Sequence, residues 1–187
     1  MDSKLQIISG CFHGRKLFLP RDARPTQNRA RAALFNMLAA GFFDTDAVFT
    51  VWDAFAGSGA FGIECLSRYP NSKAIFTDVA PESIKTVRKN LALLNVGTVA
   101  ITEQVDAITA VKKYGVVADL IFVDAPYDLA DMGYAFVRAL TKRVRTGAIV
   151  IWEQEASNAK DAPYGWLVLR DKTYGRARFM FLQRVGE

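Results

Sequence analysis

Apolar and polar positions along this chain follow two rhythms, and beyond residue 45 the two take turns. Short, nearly unbroken apolar runs at 48–54, 73–78, 99–103, 118–124 and 148–153 predict strands buried on both faces. Between them, 59–68, 81–94, 107–114 and 132–144 carry apolar residues at helical spacing. Pro81 suits the first turn of one of these helices, and Asp106 suits the N-cap of another. Alternation of this kind predicts an α/β fold, a mostly parallel twisted sheet with helices on both faces. Two last runs, 166–170 and 176–183, predict an antiparallel edge. Ahead of residue 45, strands at 4–9 and 15–19 joined across Gly10 and Gly14 predict a hairpin. A helix follows from 27 or 28 to 40, with Leu34, Phe35 and Leu38 on one face. The expected organisation is an N-terminal extension, 1–45, on a larger domain, 46–187.

At 187 residues and 51% hydrophobic, the chain is long enough for one well-buried core. Cys11 and Cys65 lie far apart without metal-ligand spacing, which predicts two reduced thiols. The single histidine, His13, does not furnish a zinc site or a Ser/His/Asp triad without unusual partners. No metal is expected. No apolar run is long enough to cross a membrane, so a soluble, cytoplasmic protein is expected.

Charge changes the picture at one end only. The net charge is +5, and the first 31 residues carry all of it through Lys4, Arg15, Lys16, Arg21, Arg24, Arg29 and Arg31 against Asp2 and Asp22. A basic segment on a neutral domain suits phosphates. Arg15, Lys16, Arg24, Arg29 and Arg31 are therefore the candidate phosphate contacts, and charge alone does not distinguish RNA from DNA as the partner. Lys172, Arg176 and Arg178 either extend that patch or protect an edge strand with charge.

The candidate chemistry sits at strand ends. The loop Asp53-Ala54-Phe55-Ala56-Gly57-Ser58-Gly59-Ala60-Phe61-Gly62 holds a G-x-G-x-x-G between a predicted strand and a predicted helix, and Asp78 closes the next strand. That context fits a dinucleotide site, so a nicotinamide dehydrogenase stays open at this point. Asp53 and Asp106 point instead to S-adenosylmethionine. A carboxylate beside the loop would repel a pyrophosphate and attract amino and sulfonium groups. Asp106 would accept from an adenine amine, or simply cap its helix. Downstream, Asp124-Ala125-Pro126-Tyr127 ends the apolar run at 118–123. It offers an acceptor, a carbonyl held by a proline-restrained turn and a stacking ring, which suit a planar base bearing an exocyclic amine.

These features together resemble a Rossmann-like class I S-adenosylmethionine-dependent methyltransferase, specifically the RsmD family of small-subunit (16S) ribosomal RNA guanine-N2 methyltransferases. The resemblance runs almost end to end, through Ile7-Ile8-Ser9-Gly10, Gly14-Arg15-Lys16-Leu17, Arg24-Pro25-Thr26 with Arg29, Ala33-Leu34-Phe35-Asn36, the glycine loop and the D-x-P-Y tetrapeptide. It implies that Asp53, Ala56, Gly57, Ser58 and Gly59 cradle the methionine part of the cofactor, Asp78 its ribose and Asp106 its adenine. Thr26, with Pro25 and Arg29, is implied to lie near the cofactor and the RNA entrance. Asp124, Ala125, Pro126 and Tyr127 are the implied catalytic set. The implied partner is 16S rRNA or a partly assembled small subunit, met by a monomer. Ala125 departs from the family's first proline, Asn28 from a frequent Asp, and Ala32 or its neighbour from a usual Glu. The tetrapeptide alone also allows methylation of adenine N6 in DNA or RNA, or of a protein glutamine amide. A non-catalytic RNA-binding protein of the same fold is the third alternative.

Overall fold

The computed structural model describes residues 5–20, 28–126 and 130–186. In chain order the elements are α1 (Asn28–Ala39), β1 (Thr50–Asp53), α2 (Ala60–Arg68), β2 (Lys73–Asp78), α3 (Pro81–Leu94), β3 (Ala100–Gln104), α4 (Ala107–Tyr114), β4 (Leu120–Val123), α5 (Ala130–Leu140), β5 (Ile149–Glu155), β6 (Trp166–Tyr174) and β7 (Ala177–Arg184). The strands form one sheet in the order β3-β2-β1-β4-β5-β7-β6. The first five run parallel, and β7 pairs antiparallel with both β5 and β6. The predicted α/β architecture is the observed one.

Strand alternation sorts the core into two layers. Val51, Phe122, Ile151, Phe179 and Phe181 pack on the face that carries α1, α2 and α3. Their chain neighbours Trp52, Ile121, Val123, Trp152 and Met180 pack on the opposite face with α4 and α5. This explains why β1 and β4 are apolar without alternation: both faces are covered.

Local chemistry sets several boundaries. Pro81 opens α3, where its missing N–H costs nothing, and Asn95 closes it in the left-handed region at φ +56°. The Asp106 carboxylate accepts from the Thr109 N–H at 3.0 Å and caps α4. Among the described residues no helix is long and apolar enough to cross a membrane.

The helix expected over 132–144 spans Ala130–Leu140, and two other elements differ further from expectation. Among the described residues the N-terminal hairpin reduces to a single bridge, Gln6 to Lys16, flanked by backbone bonds from Ile7 to Arg15 and from Leu17 to Leu5. Residues 8–12 instead bond to α2: the buried Glu64 accepts from Ile8 and Ser9 at 2.7 and 2.9 Å, and the Ser67 hydroxyl donates to the Ser9 carbonyl at 2.6 Å. Leu5, Ile7, Leu17, Leu34 and Phe35 share one core with the sheet. The second difference is β6, which continues to Tyr174 rather than stopping at residue 170. Its partner β7 supplies the pairing that its polar sequence does not advertise.

Candidate active site

The strand order reverses between β1 and β4, the place where open α/β sheets bind ligands. A cavity of about 1050 Å³ opens there, at the carboxyl ends of the strands.

The glycine loop forms its floor. Gly57 and Gly59 hold φ values of +52° and +77°, which L side chains rarely adopt. A Cβ on Gly57 would meet open space, whereas one on Gly62 would come within 2.4 Å of the Phe76 ring. The first two glycines therefore shape the turn, and the third lets α2 lie against β2. Asp53, only 2% exposed, accepts from the Gly62 N–H at 3.1 Å and holds the first turn of α2. Burial pushes its carboxyl well above the usual range, and nearby Asp124 and Asp78 push it further.

Asp78 ties the loop to the end of β2, accepting from Gly57 and Ala80 N–H, each at 2.8 Å. The Gly57 amide is thus engaged by a carboxylate. Asp106 lines the cavity as well as capping α4. Val79, 70% exposed on the cavity wall beside Asp78, is an apolar surface that the sequence did not single out.

Asp124 stands half-buried just beyond β4, and burial pushes its carboxyl up to about 6. Among the described residues it accepts no hydrogen bond, and it lines the cavity with Ala125 and Pro126. Across the cavity, Ala30, Arg31 and Leu34 of α1 form a wall. Arg31 departs from its expected place: it is 5% exposed, and its guanidinium donates to the Gln6 carbonyl. Burial lowers its pKa against the raising influence of Glu64. Arg31 is a buried cavity residue and not an open phosphate hook, because it shares the apolar face of α1 with Leu34, Phe35 and Leu38.

Arg15 and Lys16 are exposed outside the cavity, and Arg15 donates to the Leu93 carbonyl at 3.2 Å. Lys89 sits 3.7 Å above the Phe18 ring beside them. Arg29 falls in the first turn of α1. Arg24, Thr26 and Tyr127 lie outside the described residues. Arg178 is paired with Asp171 at 2.6 Å, Lys172 is exposed on the edge strand, and Arg176 pairs with Glu155 at the cavity rim.

Three residues went unnoticed in the sequence. Glu64 clamps the N-terminal segment; Asn90 joins that segment to the glycine loop; Glu153 lines the cavity beside Asp124. No motif marks the first two, which matter only through distant partners. The wall as a whole carries Asp53, Asp78, Asp106, Asp124, Glu153 and Glu155 against Arg31 and Arg176. An acidic cavity in a chain of net charge +5 suits a cationic ligand and amine donors.

Comparison with known proteins agrees with this geometry. The family described as conserved hypothetical protein 95 matches residues 5–183. Ribosomal RNA small subunit methyltransferase D of Escherichia coli (strain K12) is 30% identical over 197 residues, 98% of this chain and 92% of that protein. Its counterpart in Haemophilus influenzae is 27% identical, over 96% and 94%. The solved structure of Escherichia coli yhhF matches with a TM-score of 0.80 at 31% identity, over 97% of this chain and 98% of that one. An RNA methyltransferase from Salinibacter ruber, solved with S-adenosyl-L-homocysteine, shares the fold at a TM-score of 0.67 and 16% identity, over 88% and 95%.

Proposed function

The chain belongs to the RsmD family, described as conserved hypothetical protein 95, and on that footing we propose that it transfers a methyl group from S-adenosylmethionine to the exocyclic N2 amine of a guanine in small-subunit ribosomal RNA. The observation that carries the reading is the half-buried Asp124 carboxylate, set between the glycine-loop floor and the α1 wall of one acidic cavity.

The residues present fit the cofactor. Its cationic end suits the carboxylate-rich wall near Asp53, with Ala56, Gly57 and Ser58 as the cradle and open space where a Gly57 side chain would stand. Gly59 contributes through its turn. Asp78 keeps lone pairs for ribose hydroxyls beyond its two backbone bonds, and Asp106 with Val79 suits adenine. When bound, S-adenosylmethionine supplies an electrophilic methyl group.

The protein's own part is positioning. The guanine N2 lone pair is delocalised into the ring, so the amine is a poor nucleophile. Asp124 and the Ala125 carbonyl accept its hydrogens, orient it, and stabilise the positive charge that develops on nitrogen. With its carboxyl near 6, Asp124 is ionised at neutral pH and can take the proton. Tyr127 stacks on the base, worth roughly 1–3 kcal/mol. The base leaves its own stack to reach the cavity. Pro126 substitutes for the stiffness that Ala125 lacks.

Residues 1–45 act as the RNA-binding extension and 46–187 as the transfer domain, with Arg15, Lys16, Arg24 and Arg29 on phosphates and Thr26 near the cofactor. The protein works as a monomer in the cytoplasm on 16S rRNA, free or in a partly assembled subunit. The test is binding and turnover together. S-adenosylhomocysteine should bind and NADH should not, and labelled methyl groups should pass to small-subunit RNA or 30S particles. Transfer to DNA or protein alone would overturn the substrate.

A further inference from the structure

The strand order divides the cavity into two halves. Asp53, Asp78 and Asp106 stand at the ends of β1, β2 and β3, the half assigned above to the cofactor. Asp124 stands at the switch. Beyond it, β5 and β7 wall the half left for the base.

Glu153 occupies a defined place in that second half. Trp152 pairs with Val123 in the β4–β5 register, so the next residues, Glu153 and Asp124, stand one strand apart at the same level. Adjacent strands are about 4.8 Å apart. Alternation puts Glu153 on the face of Ile151 and Phe122, which is also the face of Asp53. Glu153 is half-buried and lines both the main cavity and a water-sized recess of about 20 Å³ that it shares with Ala125 and Pro126.

A carboxylate here, next to the groups that hold an amine, selects what else the base presents. Guanine carries an N1–H donor directly beside its N2 amine. Adenine presents a bare N1 lone pair beside C2, which a carboxylate repels. A site built to accept a hydrogen bond rejects an analogue lacking the donor far more strongly than an apolar pocket rejects a missing methyl group.

We propose that Glu153 reads the target base, accepting the guanine N1–H while Asp124 and the Ala125 carbonyl hold the N2 amine. The inference rests on the guanine-N2 reading and adds a specificity-determining residue to it.

The test uses a short RNA spanning the methylated position, with guanosine there or with 2-aminopurine, which keeps the C2 amine but has no N1–H. The wild-type protein should favour guanine by roughly 100-fold or more in kcat/KM. In Glu153→Gln, whose side-chain amide can donate to a bare N1, that preference should fall at least tenfold. In Glu153→Ala it should collapse toward unity. S-adenosylhomocysteine affinity and Tm, measured alongside, identify the variants that are folded. Wild-type turnover of the 2-aminopurine RNA within tenfold of the guanine RNA overturns the inference without any variant. So does a preference unchanged within twofold in a folded variant. In both cases N2 methylation of guanine survives. Absence of any transfer to guanine by the wild-type protein overturns the underlying reading and this inference with it.

Discussion

The Asn90 side-chain amide donates to the Ser58 carbonyl at 2.9 Å, and so binds α3 to the glycine loop. The same side chain accepts from the Phe18 N–H at 2.8 Å and donates to the Phe18 carbonyl at 3.1 Å. One wholly buried asparagine therefore links the basic N-terminal segment to the cofactor floor. Asn90→Ala removes the partner of the buried Ser58 carbonyl and of both backbone groups of half-buried Phe18, a loss of about 2–4 kcal/mol. Calorimetry should show a Tm fall of roughly 5–12 °C. Titration should show weaker S-adenosylhomocysteine binding. Unchanged affinity would mean the loop keeps its shape without this tie.

Gly62→Ala tests the packing beneath the loop. The new methyl group would press on the Phe76 ring, which is itself buried and has nowhere to retreat. Overpacking of this kind costs typically about 1–3 kcal/mol. Because Asp53 accepts from the Gly62 N–H, the strain reaches the site as well. Chemical denaturation should show the stability loss, and a variant as stable as wild type would contradict the close α2–β2 contact.

Activity should fall on the acid side with a midpoint near pH 6. Asp124 titrates there because burial raises its carboxyl from its ordinary value of 3.8, and only the ionised form accepts the amine hydrogens. Stability runs the opposite way. Between pH 4 and 6 the folded protein holds this proton and the unfolded chain releases it, so this group's contribution falls as pH rises. Asp124→Asn should therefore lose activity by a factor of at least about 100 yet show a higher Tm than wild type at pH 7.5. That gain should vanish below pH 4. A variant less stable than wild type at pH 7.5 would contradict the buried-charge assignment.

Arg15 and Lys16 should act on RNA through charge alone. The double variant Arg15→Ala/Lys16→Ala should weaken RNA binding and lower the magnitude of the log Kd against log salt slope by about 1 to 2. S-adenosylhomocysteine binding should be unaffected, since both residues lie outside the cavity. An unchanged salt slope would place the RNA track elsewhere.

How much of this was legible in the sequence depended on where each signal came from. The bounds of β2, α3 and α4 were readable to the residue, because Pro81, Asp106 and the apolar runs mark them locally. The glycine loop and Asp124 were readable because their spacing is itself the chemistry. The far half of β6 was not, since Asp171, Lys172 and Thr173 on an exposed edge carry no apolar signal, and only β7 makes them a strand. Arg31 was misplaced because its charge was weighed before its helical position, three and four residues ahead of Leu34 and Phe35. Glu64 and Asn90 look like ordinary polar helix residues. Their burial follows from partners 55 and 72 positions away.

The most direct test of the account is to identify the methylated nucleoside. Small-subunit RNA and 30S particles would be incubated with labelled S-adenosylmethionine and either the wild-type protein or Asp124→Ala, then digested for mass spectrometry. N2-methylguanosine with the wild type, lost in the variant although S-adenosylhomocysteine still binds, is the predicted result. N6-methyladenosine, or N2-methylguanosine formed equally well by the variant, would contradict the role assigned to Asp124 and its cavity.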